Sequence, residues 1–337
     1  ADTLCSCALL AEGMFSDGFC MKIPSITRSI LRYPGSKARL AKFIAKAIEI
    51  NSFKSPVLLE PFCGGSSVSI ALLESGVVGS IAINDIDPLI SSLWKCVFSK
   101  DDSKWLADKV MNVPLTLDHW YYQKELNPKS IQESALKCLY LNRTSFSGVL
   151  QDRAGPIGGK SQAKWTVGCR FNRQKISKRI LELSSLLDRV VSVSGKPWQE
   201  FCQGWEGIEN TVCYLDPPFY YKAERLYRYC FDEDEHVRLN NFLLNADMPW
   251  LLSYDNAEKI RQIYNGNGLR ARQIDNTYSA HPIGGNSFIG KEIVYSNFRV
   301  LPGPTGDGVR HEGLSVKRPS KARIVRGDLV KVPCPVI

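Results

Sequence analysis

Apolar positions at helical spacing over Leu40–Ile50 predict an amphipathic helix. A short apolar run, Val57-Leu-Leu-Glu60, follows and reads as a strand. It opens into Pro61-Phe-Cys-Gly-Gly-Ser-Ser67 and a helix candidate over Val68–Glu74, so strand, glycine turn and helix make one half of an α/β unit. A second apolar strand, Ser80–Asn84, ends on Asp85. Glu60 and Asp85 are 25 residues apart, the separation expected of parallel strands flanking a crossover helix.

From Pro88 to Glu209 the pattern turns helical, most clearly over Ile131–Leu141 and Ile176–Leu187, around a Gly-, Ser- and Lys-rich loop at 147–169. The strand pattern resumes with Thr211–Leu215, which runs into Asp216-Pro-Pro-Phe219. Trp250–Tyr254 and Glu292–Ser296 are further strands, with a helix at Ala257–Tyr264 between them. The expected organisation is a leader over 1–27 that the working domain need not include, an α/β sheet from 28–87 and 210–300, an inserted mainly helical segment at 88–209, and a basic tail at 301–337.

Composition narrows the class. The chain has 337 residues, 44% hydrophobic and 23% charged, enough for a sizeable core and unlike a collagenous or low-complexity chain. No apolar run approaches the roughly 18 residues of a membrane span, and a cytoplasmic protein is expected. Eleven cysteines without CxxC spacing and four scattered histidines indicate neither a disulfide framework nor a metal site, so no metal is assigned.

The net charge of +9 is unevenly spread. Residues 137–189 hold 11 Lys/Arg against three acids, and the segment from Arg299 onward holds eight against three. Such local excess suits either a solvated face or a polyanionic partner.

Three short segments carry chemistry. Glu60-Pro-Phe-Cys-Gly-Gly65 places flexible backbone after a strand, where open α/β sheets bind ligands, although the same glycines serve a structural turn. Asp85 is placed to hold ribose hydroxyls, or to cap a helix. Asp216-Pro217-Pro218-Phe219 sets a carboxylate, a carbonyl and an aromatic face around one small region. That set suits a planar aromatic amine, held by hydrogen bonds to its exocyclic nitrogen and by stacking.

In this order the segments resemble those of the alpha-class, Dam-like adenine-N6 DNA methyltransferases, which use S-adenosylmethionine. Arg32-Tyr-Pro-Gly-Ser-Lys37 is similar to that family's N-terminal cofactor motif, Glu60–Val68 to its glycine motif and Asn84-Asp-Ile-Asp87 to its ribose-binding acid. Leu141-Asn-Arg-Thr-Ser-Phe-Ser-Gly148 resembles the segment opening target recognition, and Asp216–Phe219 the catalytic motif. Ser253-Tyr-Asp255 and Lys291–Asn297 are similar to later strands. The likeness runs over about Ile30–Val300. Ser36, Ser66, Ser145, Ser147 and Phe219 depart from the residues usual there.

The resemblance implies a Rossmann-like S-adenosylmethionine-dependent methyltransferase sheet carrying a DNA-recognition segment. It implies that Tyr33, Lys37, Glu60, Phe62, Gly64, Asp85 and Asp216 hold the cofactor, with Lys37 facing its carboxylate, and that Asp216, Pro217, Pro218 and Phe219 are catalytic. Duplex DNA is the expected partner, through Arg143, Arg153, Lys160, Lys164 and Arg170, with Arg173 and Lys175 extending the patch. The implied reaction is in-line methyl transfer to a flipped adenine. A monomer, and a restriction endonuclease acting separately, complete the expectation. Amino methylation of cytosine N4 or of RNA, and a catalytically silent DNA-binding relative, are the competing readings.

Overall fold

The computed structural model describes residues 29–32, 37–221, 227–278 and 288–303. Tyr33, residues 1–27 and the chain from 304 onward lie outside them. The described residues form a seven-stranded sheet: β1 (Val57–Glu60), β2 (Ser80–Asn84), β3 (Val190–Ser194), β4 (Thr211–Leu215), β5 (Trp250–Asp255), β6 (Arg270–Tyr278) and β7 (Phe288–Ser296). Their spatial order is β3-β2-β1-β4-β5-β7-β6. The first five are parallel, and β7 runs antiparallel to both β5 and β6.

Alternation along the strands divides the core in two, because successive side chains point to opposite faces. Leu58, Val212 and Leu251 face a cluster that includes Ile44 and Ile48 of α1 (Ala41–Ile50). Leu59, Cys213 and Leu252 face the other side, against α8 (Trp198–Gln203), α9 (Glu233–Asn245) and α10 (Glu258–Tyr264). The expected α/β class and its central strands are therefore present, together with the glycine-turn helix α2 (Ser67–Glu74).

The segment 88–209 differs from the expected insertion in one respect. It contributes β3, an edge strand paired in parallel with β2. Its sequence, Val-Val-Ser-Val-Ser, is half exposed and gives no continuous apolar run, which is why the pattern did not mark it. Elsewhere it holds the helices α3 (Pro88–Val97), α4 (Lys100–Asn112), α5 (Leu117–Glu125), α6 (Ile131–Thr144) and α7 (Arg173–Ser184), besides α8 on the opposite face. Trp94, Leu139 and Ile180 of α3, α6 and α7 share one buried cluster with Leu58 and Ile83, so these helices are built onto one face of the sheet. β6 was also missed, for its polar run Arg-Ala-Arg-Gln lies on the opposite edge. No helix among the described residues is long and apolar enough to cross a membrane.

Candidate active site

The carboxyl ends of the parallel strands gather the chemistry. Glu60 ends β1, Asp85 follows β2, Asp216 follows β4 and Asp255 ends β5. β1 is flanked by β2 on one side and β4 on the other, the place in an open α/β sheet where a ligand crevice forms. Lys37, Glu60, Phe62, Gly64, Asp85 and Asp216 all line one cleft there, together with Asp87, Pro218, Tyr227 and Arg228.

The glycine loop on one wall is pinned from four directions. The Cys63 amide donates to Asn84 O at 2.9 Å, the Gly64 amide to Asp85 Oδ2 at 2.8 Å, the Trp94 indole N–H to Gly64 O at 2.8 Å, and Ser29 Oγ to Gly65 O at 2.7 Å. Gly64 has φ +43°, a conformation glycine adopts without a Cβ penalty. Ser66, just before α2, is fully buried and lines the cleft, and its Oγ has no hydrogen-bond partner among the described residues.

Asp85 is held rather than loose. Its Oδ1 accepts from the Asp87 amide at 2.9 Å while Oδ2 takes Gly64, leaving one lone pair on each oxygen for a ligand hydroxyl. Burial raises its pKa to about 7 against the pull of those amides. Glu60 is deeper, accepts from Ser69 Oγ, and burial pushes it up to about 8. Asp87 caps α3 through Leu89 N at 2.9 Å and pairs with Arg228 at 3.1 Å.

At the other end of the cleft Asp216 is gripped through a single oxygen. Lys37 Nζ lies 3.0 Å from Oδ1, and Ser253 Oγ donates to the same atom at 2.9 Å. Tyr214 OH is in turn 2.9 Å from Ser253 Oγ. Oδ2 has no hydrogen-bond partner among the described residues. Burial lifts the Asp216 pKa, Lys37 opposes the rise, and Glu292 adds to it. Lys37 also reaches Glu292 at 3.6 Å and stands 4.7 Å over the Phe219 ring. Its ammonium thus reaches two carboxylates. Pro217 is buried, and Phe219 meets Tyr227 edge-on with centroids 6.0 Å apart.

The segment resembling the start of target recognition has a structural task as well. Asn142 accepts from Arg32 N at 2.7 Å and donates to Arg32 O at 3.3 Å and Gly148 O at 2.8 Å. Gly148 has φ +75°, and a Cβ there would come within 2.1 Å of Arg32 O. Arg143, expected on DNA, is half-buried and donates to Ile30 O at 2.6 Å and Ser29 O at 3.4 Å. Arg173 likewise spends its guanidinium on Val110, Met111 and Val113 carbonyls at the end of α4. Arg153, Lys160, Lys164 and Arg170 are exposed, alongside Trp165 and a Phe146 that is 71% exposed.

Ser253 and Glu292 were not singled out as site residues from the sequence. A lone acid in the apolar strand Glu292-Ile-Val-Tyr was the available signal for the second.

Comparison with known proteins follows the same outline. Residues 33–279 match the model of the D12 class N6 adenine-specific DNA methyltransferase family. The chain is 24% identical over 245 residues to the type II methyltransferase M.MjaIII of Methanocaldococcus jannaschii, covering 65% of this chain and 80% of that protein. It is 22% identical over 209 residues to the type II methyltransferase M.CviBI of Paramecium bursaria Chlorella virus NC1A, covering 62% and 76% respectively.

Proposed function

The chain belongs to the D12 class N6 adenine-specific DNA methyltransferase family, and from that premise we propose that S-adenosylmethionine is its methyl donor and that the Asp216 end of the cleft receives the adenine. The reaction is site-specific methylation of adenine N6 in DNA.

The cleft residues fit such a donor. The unpartnered Ser66 Oγ and the first amides of α2 suit a polar tail, Phe62 an adenine edge, and Asp85 ribose hydroxyls. When bound, S-adenosylmethionine supplies a methyl group activated by a cationic sulfur. The protein's own part is to hold the target nitrogen still. Lys37 and Ser253 fix Asp216 through Oδ1, so Oδ2 is left to accept a hydrogen from the exocyclic amine and orient its lone pair. Phe219 offers the stacking face, with the Lys37 ammonium over its ring. Reaching this pocket from a duplex requires the base to leave the stack, at a cost of a few kcal/mol.

The exposed cations Arg153, Lys160, Lys164 and Arg170 are assigned to DNA, and residues 88–209, apart from β3, to target reading. Arg143 is withdrawn from that set. The chain acts as a monomer in the cytoplasm, and by analogy with the type II relatives a restriction endonuclease acts separately on the same site.

The observation that carries this reading is the one-sided grip on Asp216. Its test is transfer of labelled methyl from S-adenosylmethionine to genomic DNA lacking adenine methylation, with wild type and Asp216→Ala compared. N6-methyladenine at one short motif, lost in the variant, is expected. Label on cytosine, on RNA alone, or nowhere would overturn it.

A further inference from the structure

Three arginines gather where the stretch before Lys37 meets the recognition segment. The backbone of Arg32 is boxed in there: its N–H donates to Asn142 Oδ1 at 2.7 Å, its carbonyl accepts from Asn142 Nδ2 at 3.3 Å, and a Cβ on Gly148 would collide with that carbonyl at 2.1 Å. Arg143, the residue after Asn142, is fastened alongside through Ile30 O at 2.6 Å and Ser29 O at 3.4 Å. The third cation, Arg170, is exposed and lies within electrostatic reach of Arg32.

The fixed backbone of Arg32 carries an unsatisfied head. Its Nη1 is buried and has no hydrogen-bond partner among the described residues. The charges do not cancel either. The groups that act on Arg32 are Arg170 and the Cys169 thiol, and the one that acts on Arg143 is Arg32, so no carboxylate is among them. Burial and Arg170 hold the Arg32 pKa below its ordinary value, and burial and Arg32 push that of Arg143 down to about 10. A buried charged donor left unpaired costs free energy, and like charges held together add to that cost.

We propose that Arg32 and Arg170 form a binding site for a phosphate group, with Arg143 kept on its carbonyls as a neighbouring fixed charge. A phosphate oxygen supplies the acceptor that Nη1 lacks, and the planar guanidinium fork matches phosphate geometry. The site opens to water on the side of Arg170, its exposed member. One phosphate held there would touch both the stretch leading to Lys37 and the segment proposed to read DNA. The inference rests on the DNA reading only for the source of that group, a backbone phosphodiester, since a free phosphate has the same chemistry.

The test uses the full chain as wild type, Arg32→Met, Arg170→Met and the double variant, because methionine keeps an apolar stem and drops the charge. In fluorescence anisotropy each single variant should weaken duplex binding about tenfold, the loss of a hydrogen bond between charged groups. The double variant should lose far less than the roughly hundredfold of independent contacts, because both residues act on one phosphate. In melts without DNA, Arg32→Met should be no less stable than wild type, since it removes an unpartnered charge. Inorganic phosphate should raise the Tm of wild type more than that of either variant, a comparison in which the general stabilising effect of phosphate cancels.

Weakened duplex binding assigns the group to the DNA backbone, and phosphate protection with duplex binding unchanged assigns it to a free phosphate. Losses that multiply to about a hundredfold mean two separate contacts and overturn the shared site. An Arg32→Met protein that melts lower while both bindings stay as in wild type marks the arginine as structural, and likewise overturns it. Should Arg32→Met fail to fold, Arg170→Met still decides: duplex affinity and phosphate protection equal to wild type sink the proposal. A wild type that binds no duplex overturns the DNA reading instead, and phosphate protection then tests the site alone.

Discussion

Ser253 donates to Asp216 at 2.9 Å on the very oxygen that Lys37 reaches at 3.0 Å, so two elements far apart in the chain hold one carboxylate by one side. Removing the hydroxyl leaves Asp216 with a single anchor. Ser253→Ala is expected to lower the single-turnover methylation rate about tenfold, a loss near one hydrogen bond to a charged group, while leaving the KM for DNA unchanged. Rapid-quench kinetics on an unmethylated duplex measures both. An increase in KM with unchanged rate would show that Ser253 serves binding instead.

The arginines near the recognition segment separate into two kinds. Arg143→Ala removes donors to Ile30 O and Ser29 O and should cost about 2 kcal/mol of stability, read as a lowered Tm. Arg153→Ala and Lys160→Ala, at exposed positions, should leave Tm unchanged, weaken DNA binding and reduce its salt dependence by about one ion each. Fluorescence anisotropy across a salt series, beside thermal melts, distinguishes the two.

Glu60 makes stability depend on pH in an uncommon direction for a carboxylate. Its folded pKa, about 8, lies above the ordinary value of 4.5, so the folded state keeps a proton that the unfolded chain releases. Stability is therefore lost as pH rises from about 4.5 to about 8 and levels off beyond. Glu60→Gln should match wild type near pH 4.5 and exceed it progressively toward pH 8, by a few kcal/mol, on the order of three pKa units. Urea titrations at several pH values test it, and a constant difference across the range would refute the assignment.

Trp94 reaches across from α3 to the glycine loop, its indole N–H 2.8 Å from Gly64 O. Trp94→Phe keeps an aromatic in the core but drops that bond. The loop should loosen, raising the KM for the methyl donor about three- to tenfold with a smaller effect on the maximal rate. Initial rates at saturating DNA give the split.

Much of this arrangement was legible before the structure. β1, β2, β4 and β5 are buried on both faces and announce themselves as continuous apolar runs. The strands that escaped notice, β3 and β6, lie at the two edges, where half-exposed positions take serine, arginine and glutamine. Within the site, Asp216 and Lys37 stand in short motifs and could be named. Ser253 and Glu292 could not be given roles, because both depend on which strands lie side by side: β5 beside β4, and β7 folded back antiparallel on β5. The structural contacts of Arg143 were hidden for a related reason. Positive charge is visible in a sequence, whereas the carbonyls that absorb it come from Ser29 and Ile30, 114 and 113 positions earlier.

The bridge made by Asn142 also sets an order of assembly. Its side chain joins the backbone of Arg32 to residues that leave the ribosome 110 positions later, so Arg32 gains this seat only once α6 has been made and folded. Contacts of such sequence separation form late, because closing the intervening chain costs entropy before any contact repays it. A nascent or truncated chain ending before residue 142 therefore lacks that bridge, and one ending before residue 216 lacks the carboxylate that Lys37 reaches. The backbone of Arg32 is thus tied down together with the segment proposed to choose where the chemistry is done.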